Sequence, residues 1–204
     1  MELVPIFPRY LGVKHFKDIP YEVINSWKSQ IKTESLKHLH NDSNNEKDLL
    51  TINQKLLEDS IFKELKNQIL NYSKKYVTDI GFYVEDVQIS NSWSYITHKH
   101  NKEDTFHAHG NSLISGVFYL TKGSDLLFQT DLYSNLLFKT SINSQSQAQK
   151  NFYSVTPQEG LLVLFPSHLQ HSVNRNEEDI ERISIAFNII PKGEFGPNYA
   201  KLYL

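Results

Sequence analysis

Cysteine does not occur among the 204 residues. Disulfides, thiolate-bound zinc and thiol nucleophiles are therefore excluded, and any metal has to be held by nitrogen and oxygen. No uninterrupted apolar run approaches the roughly 18 residues that a bilayer span requires. Glycine is sparse, with eight residues scattered at turn-like positions, so a glycine-rich phosphate loop is missing. Neither sign of charge dominates: 21 Lys and Arg stand against 23 Asp and Glu, a formal net charge of −2. That balance leaves no basic footprint for nucleic acid and no polyanionic tail. The opening Met-Glu-Leu-Val-Pro lacks the basic and apolar regions of a signal peptide, and the expectation is a cytoplasmic protein without membrane association.

What is present suits one packed domain. Hydrophobic residues make up 39% and aromatics 12% of the chain, enough to fill a sizeable core. Residues 1–204 read as a single domain, with a helical layer over about 1–81, a strand-rich core over 82–190 and a tail over 191–204. From Pro20 to about Gly81 apolar residues recur at helical spacing, first Val23, Ile24, Trp27 and Ile31, then Ile61, Phe62, Leu65, Ile69 and Leu70. Asp59 or Ser60 is placed to cap the second helix and Gly81 to stop it. His40–Asp48 between them reads as a solvated connector.

Beyond Gly81 the period changes to two. Val84–Thr97, Leu113–Thr121, Asp125–Thr130, Tyr133–Thr140, Phe152–Thr156, Gly160–Pro166 and Arg182–Ile190 are rich in β-branched and aromatic residues and separated by turn chemistry. The polar run Ser141–Lys150 is expected to be a mobile hairpin tip or lid. Helices followed by this many short strands predict an α+β fold, a jelly-roll or double-stranded β-helix with the N-terminal helices packed on one sheet.

Histidine carries the candidate chemistry. Two His-x-His pairs occur, His98-Lys99-His100 and His107-Ala108-His109, and a strand sets residues i and i+2 on one face. The first pair runs into Asn101, Lys102, Glu103 and Asp104, a solvated strand end. The second is spaced by alanine and feeds the apolar run Leu113–Leu120, where a site can be held rigidly. A buried strand ending at Pro166 then presents His168 and His171 in a short turn. A pair on one strand plus a distant histidine is facial-triad geometry, which leaves positions open on the metal. Arg182 opens a strand in which Arg182, Ser184, Ala186 and Asn188 share one face and Ile183, Ile185 and Phe187 the other. An arginine at a barrel mouth requires an anionic partner. That partner is either a bound dicarboxylate or an upstream acid, Glu177, Glu178 or Asp179.

These residues resemble the Fe(II)/2-oxoglutarate-dependent oxygenase superfamily, closest to a small group of bacterial and phage oxygenases. Trp93, the His-x-His followed by Asn111-Ser112-Leu113-Ile114-Ser115-Gly116-Val117-Phe118-Tyr119-Leu120, the Gly160–Ser167 block with its later histidine, and Glu181–Asn188 occur in the expected order over about half the chain. The resemblance implies a double-stranded β-helix that binds Fe(II) through His107, His109 and His171. It implies 2-oxoglutarate as cosubstrate, its distal carboxylate held by Arg182, Ser184 and Tyr119. The reaction implied is hydroxylation of an unidentified small molecule or side chain with release of succinate and CO2. One departure stands out. The superfamily has Asp or Glu where this chain has His109, so the ligand set is neutral and also suits zinc, copper or nickel. Two other classes stay open on the residues alone: a cupin-like three-histidine enzyme that does not use 2-oxoglutarate, and a non-catalytic binding domain.

Overall fold

A computed structural model describes residues 9–34, 36–38, 48–99, 105–129, 152–177 and 179–204. The expected strand Tyr133–Thr140, the run Ser141–Lys150 and most of the connector from His40 lie outside them. In chain order the elements are β1 (Gly12–His15), α1 (Tyr21–Thr33), β2 (Leu36–His38), β3 (Asp48–Thr51), α2 (Lys63–Asp79), β4 (Asp86–Thr97), β5 (Ile114–Tyr119) and β6 (Leu126–Gln129). They continue with β7 (Phe152–Val155), β8 (Leu161–Pro166), β9 (His171–Val173), β10 (Arg182–Lys192) and a terminal hairpin, β11 (Glu194–Phe195) and β12 (Leu202–Tyr203). Seven strands form one sheet in the order β1-β8-β5-β10-β4-β3-β2, and three form another, β7-β6-β9.

Strand alternation places the two cores. On β10, Ile183, Ile185 and Phe187 join Ile24, Trp27, Ile31, Leu65 and Ile69 of the helices, so the apolar side packs on α1 and α2. The opposite faces of β5 and β8 supply Val117, Tyr119, Val163 and Phe165, which meet Leu126, Phe128 and Val173 of the small sheet. Two sheets around an inner core, with helices on one outer face, is the double-stranded β-helix expected above. Gly116 is the position where the helix-side layer is tightest. A Cβ there would lie 2.3 Å from Cζ of Phe187, well inside van der Waals contact, so the strand crossing under that ring requires glycine.

A bulge sets the phase of β4. Its register with β10 slips between Asn188 and Ile189, which pair with Asn91 and Ile89 and leave Ser90 as the extra residue. Before the slip odd-numbered Val87 and Ile89 face the helical core; after it even-numbered Ile96 does. One inserted residue moves every later side chain to the other face. Trp93, Tyr95 and Thr97 are thereby turned inward, between the sheets.

The N-terminal half differs from the helical expectation. Val23 and Ile61 are more than a third exposed, so the buried stripes narrow to Ile24, Trp27 and Ile31 on α1 and to Phe62, Leu65 and Ile69 at α2. Between the helices lie β2 and β3, which extend the large sheet beyond β4. Asp48, read as the end of a solvated loop, is fully buried at the start of β3. Backbone pairing with β4, a tertiary effect, decides these short segments against their polar flanks. The expected stop holds: Gly81 takes a positive φ of 96° just past α2. The expected cap does not fall on α2, since Asp59 accepts from the Ile61 N–H at 3.1 Å and so caps the 3-10 turn Ser60–Phe62, while α2 itself follows Phe62 without a side-chain cap.

Candidate metal centre

The three histidines meet at one end of the space between the sheets. His107 and His171 form an antiparallel bridge, each N–H donating to the other's carbonyl at 3.0 and 2.9 Å. Directly opposed residues point the same way, so both imidazoles stand on one side. His109, two positions on, keeps that side, and its N–H donates to the Ser167 carbonyl at 2.8 Å. One ring nitrogen from each of the three lies within 4.8 Å of those of the others. His171 is the buried member, packed edge-on to Phe165 with centroids 4.7 Å apart. Trp93 borders His109 at 5.9 Å.

The inner nitrogens are already committed. Nδ1 of His107 donates to the Thr105 carbonyl at 2.9 Å, Nδ1 of His171 to the Leu169 carbonyl at 2.9 Å, and Nδ1 of His109 to Oδ1 of Asn188 at 2.7 Å. With the proton held on Nδ1, Nε2 is the nitrogen that each ring would turn to an ion, the usual arrangement of metal-binding histidine. The donor set fits a divalent metal.

Burial favours the neutral form of His109 and His171. Desolvation lowers the pKa of His109, opposed in part by its bond to Asn188, and lowers that of His171 to about 4, with His107 and His109 adding repulsion. A histidine that titrates at about 6.5 when unfolded and near 4 when folded leaves the unfolded state holding more protons between those values. Stability of the metal-free protein is therefore unaffected above pH 6.5 and falls as the pH drops toward 4, by on the order of 3 kcal/mol from His171 alone. Thermal unfolding of metal-free protein across this range is expected to show that acid loss, and His171→Gln to flatten it.

A cavity of about 440 Å³ opens beside the triad. Arg182 enters it almost wholly buried, at 1% exposure. Its Nε has no hydrogen-bonding partner, and its Nη1 has only a long 3.5 Å contact to Ser184 Oγ. The guanidinium lies 5.2 Å from the ring centroid of Tyr119, whose buried hydroxyl is also unpartnered. Burial raises the pKa of that hydroxyl, so it is an O–H donor. Of the upstream acids that are described, Glu177 pairs with Arg175 and Asp179 with Lys99; Glu178 lies outside the described residues. A buried cation beside two hydroxyls is chemically suited to an anion.

The remaining histidines take other roles. His98 pairs with Glu181 at 3.1 Å, His168 is exposed, and His100 lies outside the described residues. Sequence reasoning missed two groups. Leu50, Ile52 and Gln54 line the cavity, which a helical reading of that segment hides. Asn188 was placed on the face of Arg182 without a role, because nothing local marks one asparagine in a strand as a histidine's partner.

The sequence profile of a family described as "Putative 2OG-Fe(II) oxygenase" matches residues 91–188, the stretch that supplies all of the triad, Arg182 and Tyr119. Over this stretch, just under half of the chain, the sequence is similar to the 2OG-Fe(II) oxygenases. No curated protein sequence matches it. Among solved structures, the oxygenase fold aligns with HygX from Streptomyces hygroscopicus, bound to nickel, 2-oxoglutarate and hygromycin B, at 13% identity and a TM-score of 0.59, over 90% of this chain and 83% of that one. The epimerase SnoN of nogalamycin biosynthesis aligns at 10% identity and 0.65, over 93% and 82%. A prolyl-4-hydroxylase of Pseudomonas putida aligns at 13% and 0.55, over 88% and 92%. At such identities the likeness is one of fold. No helix among the described residues is long and apolar enough to cross a membrane.

Proposed function

We propose that this protein is an Fe(II)- and 2-oxoglutarate-dependent dioxygenase, hydroxylating an unidentified substrate and releasing succinate and CO2. The observation that carries the reading is Arg182, a buried cation without a carboxylate partner among the described residues, in the same cavity as three histidines that bring one ring nitrogen each within 4.8 Å of one another. Fe(II) with 2-oxoglutarate supplies the oxidative chemistry, coupling decarboxylation of the cosubstrate to oxygenation of a C–H bond.

The chain's own contribution is binding, orientation and exclusion of water. His107, His109 and His171 hold the metal on one face. Arg182 donates to the distal carboxylate of 2-oxoglutarate, with the Tyr119 and Ser184 hydroxyls completing that end. Leu50, Ile52, Gln54 and Trp93 form the cavity wall left for the prime substrate, an apolar surface with one amide. No side chain is required as a general base. A cupin-like enzyme without 2-oxoglutarate would leave Arg182 buried for no purpose.

Anaerobic titration of metal-free protein with Fe(II) and then 2-oxoglutarate tests the proposal. A weak visible charge-transfer band that appears only with both is the expected result. Stoichiometric metal binding with no response to 2-oxoglutarate would transfer the site to the cupin-like class.

A further inference from the structure

Where the superfamily uses a carboxylate, this chain uses His109, and a carboxylate needs no tautomer while an imidazole does. Behind His109 lies a chain of polar side chains. Asn188 Oδ1 sits 2.7 Å from Nδ1 and Ser115 Oγ 3.0 Å from the same atom. Ser115 Oγ is also 2.8 Å from Asn188 Oδ1 and 2.9 Å from Ser167 Oγ, which in turn donates to Ser112 Oγ at 2.8 Å. Ser112 donates onward to the Ile114 carbonyl at 2.8 Å. The Asn188 amide oxygen can only accept, so Ser115 Oγ–H and Nδ1–H of His109 both donate to it, while Ser167 donates to Ser112 and Ser112 to that carbonyl. His109 then heads the chain as donor. Asn188, Ser115 and Ser167 are buried at 7%, 1% and 1% exposure, so water does not substitute for them.

We infer that Asn188 is a positioning residue for the metal centre: with Ser115 it fixes His109 as the Nδ1–H tautomer and aims its Nε2 at the ion. The fold is built to place it. Asn188 is the last residue of β10 before the register slips against the Ser90 bulge, and bulges re-aim side chains beside active sites. Asn188 also pairs directly with Ser115 on β5, which puts both polar groups on the face that His109 covers. The acceptor is a neutral amide, unlike the carboxylate that often orients a metal-bound histidine. Histidine ligand and amide together leave the full charge of a divalent metal uncompensated by protein, a centre suited to dianionic cosubstrate. This assignment rests on His109 being a ligand, as proposed above.

The test uses the full-length chain, labelled with ¹⁵N, and Co(II) as the metal probe. In metal-free wild type a long-range proton–nitrogen correlation is expected to show His109 protonated on Nδ1. Asn188→Leu is expected to release that tautomer and weaken Co(II) binding about 10- to 100-fold. Asn188→Asp keeps the acceptor and is expected to keep both the tautomer and wild-type or tighter binding. A wild-type His109 protonated on Nε2 would overturn the inference, with or without a foldable leucine variant. So would an aspartate variant as weak as the leucine one, since the role would then be steric. Wild type failing to bind Co(II) with the tautomer in place would instead overturn the metal-site reading.

Discussion

Replacing His171 by alanine is expected to abolish stoichiometric binding of Fe(II) or Co(II), the largest effect of any single ligand change. His171 is the most buried of the three, at 5% exposure, and its ring is clamped by Phe165 and by the Leu169 carbonyl. The loss should exceed the roughly 10- to 100-fold that removal of an outer-shell partner costs, because a donor atom disappears and nothing nearby replaces it. His168, three residues upstream, is exposed and does not reach the triad, so His168→Ala is expected to bind metal as wild type does. Alanine also empties space beneath Phe165, and His171→Gln serves as the control of similar size. Calorimetric titration of the three variants decides the matter. Retained affinity in both His171 variants would remove this residue from the ligand set.

How much of this was legible depended on whether chemistry and periodicity agreed. On β10 they did: alternating Arg182, Ser184, Ala186, Asn188 against Ile183, Ile185, Phe187 gave both faces correctly, since one face packs on the helices and the other faces the site. The two His-x-His pairs were distinguishable because Ala108 and the apolar run after Gly110 embed one pair, while Lys99 and the acids after it solvate the other. The sheet's extension by β2 and β3 was not legible. Strands of three and four residues carry little periodicity, and Asp48 buried at a strand start runs against the local pattern. The Ser90 bulge was equally hidden, being a property of the β4–β10 pairing and not of either strand. Through it the positions of Trp93 and Tyr95 were hidden as well. Asn188 follows the same logic: its meaning lies in a ring 79 residues away in sequence.

Arg182→Met is expected to act with opposite signs on the metal-free protein and on its complex. Arg182 is the largest fully buried side chain, and its charge finds only a distant hydroxyl and the Tyr119 ring. An isolated buried cation is costly, and replacement of such charges by apolar groups of like volume is commonly neutral or stabilising by about 1–4 kcal/mol. Methionine keeps an unbranched stem for the packing against Gly123, whose backbone lies close over Arg182. The variant without ligand should therefore unfold at the wild-type temperature or a few degrees above it. With 2-oxoglutarate the order reverses. Truncating one side of a buried charge pair costs about 2–5 kcal/mol, so the wild type should gain stability from the cosubstrate while the variant gains almost none. Thermal unfolding with and without 2-oxoglutarate, in the presence of metal, reads both signs at once. A variant less stable in the absence of ligand would mean that the folded chain already supplies an anion to Arg182. A variant still stabilised by 2-oxoglutarate would mean that another group holds its carboxylate. The cost of keeping this cation unpaired until a ligand arrives is what ties the stability of the fold to the function of the site.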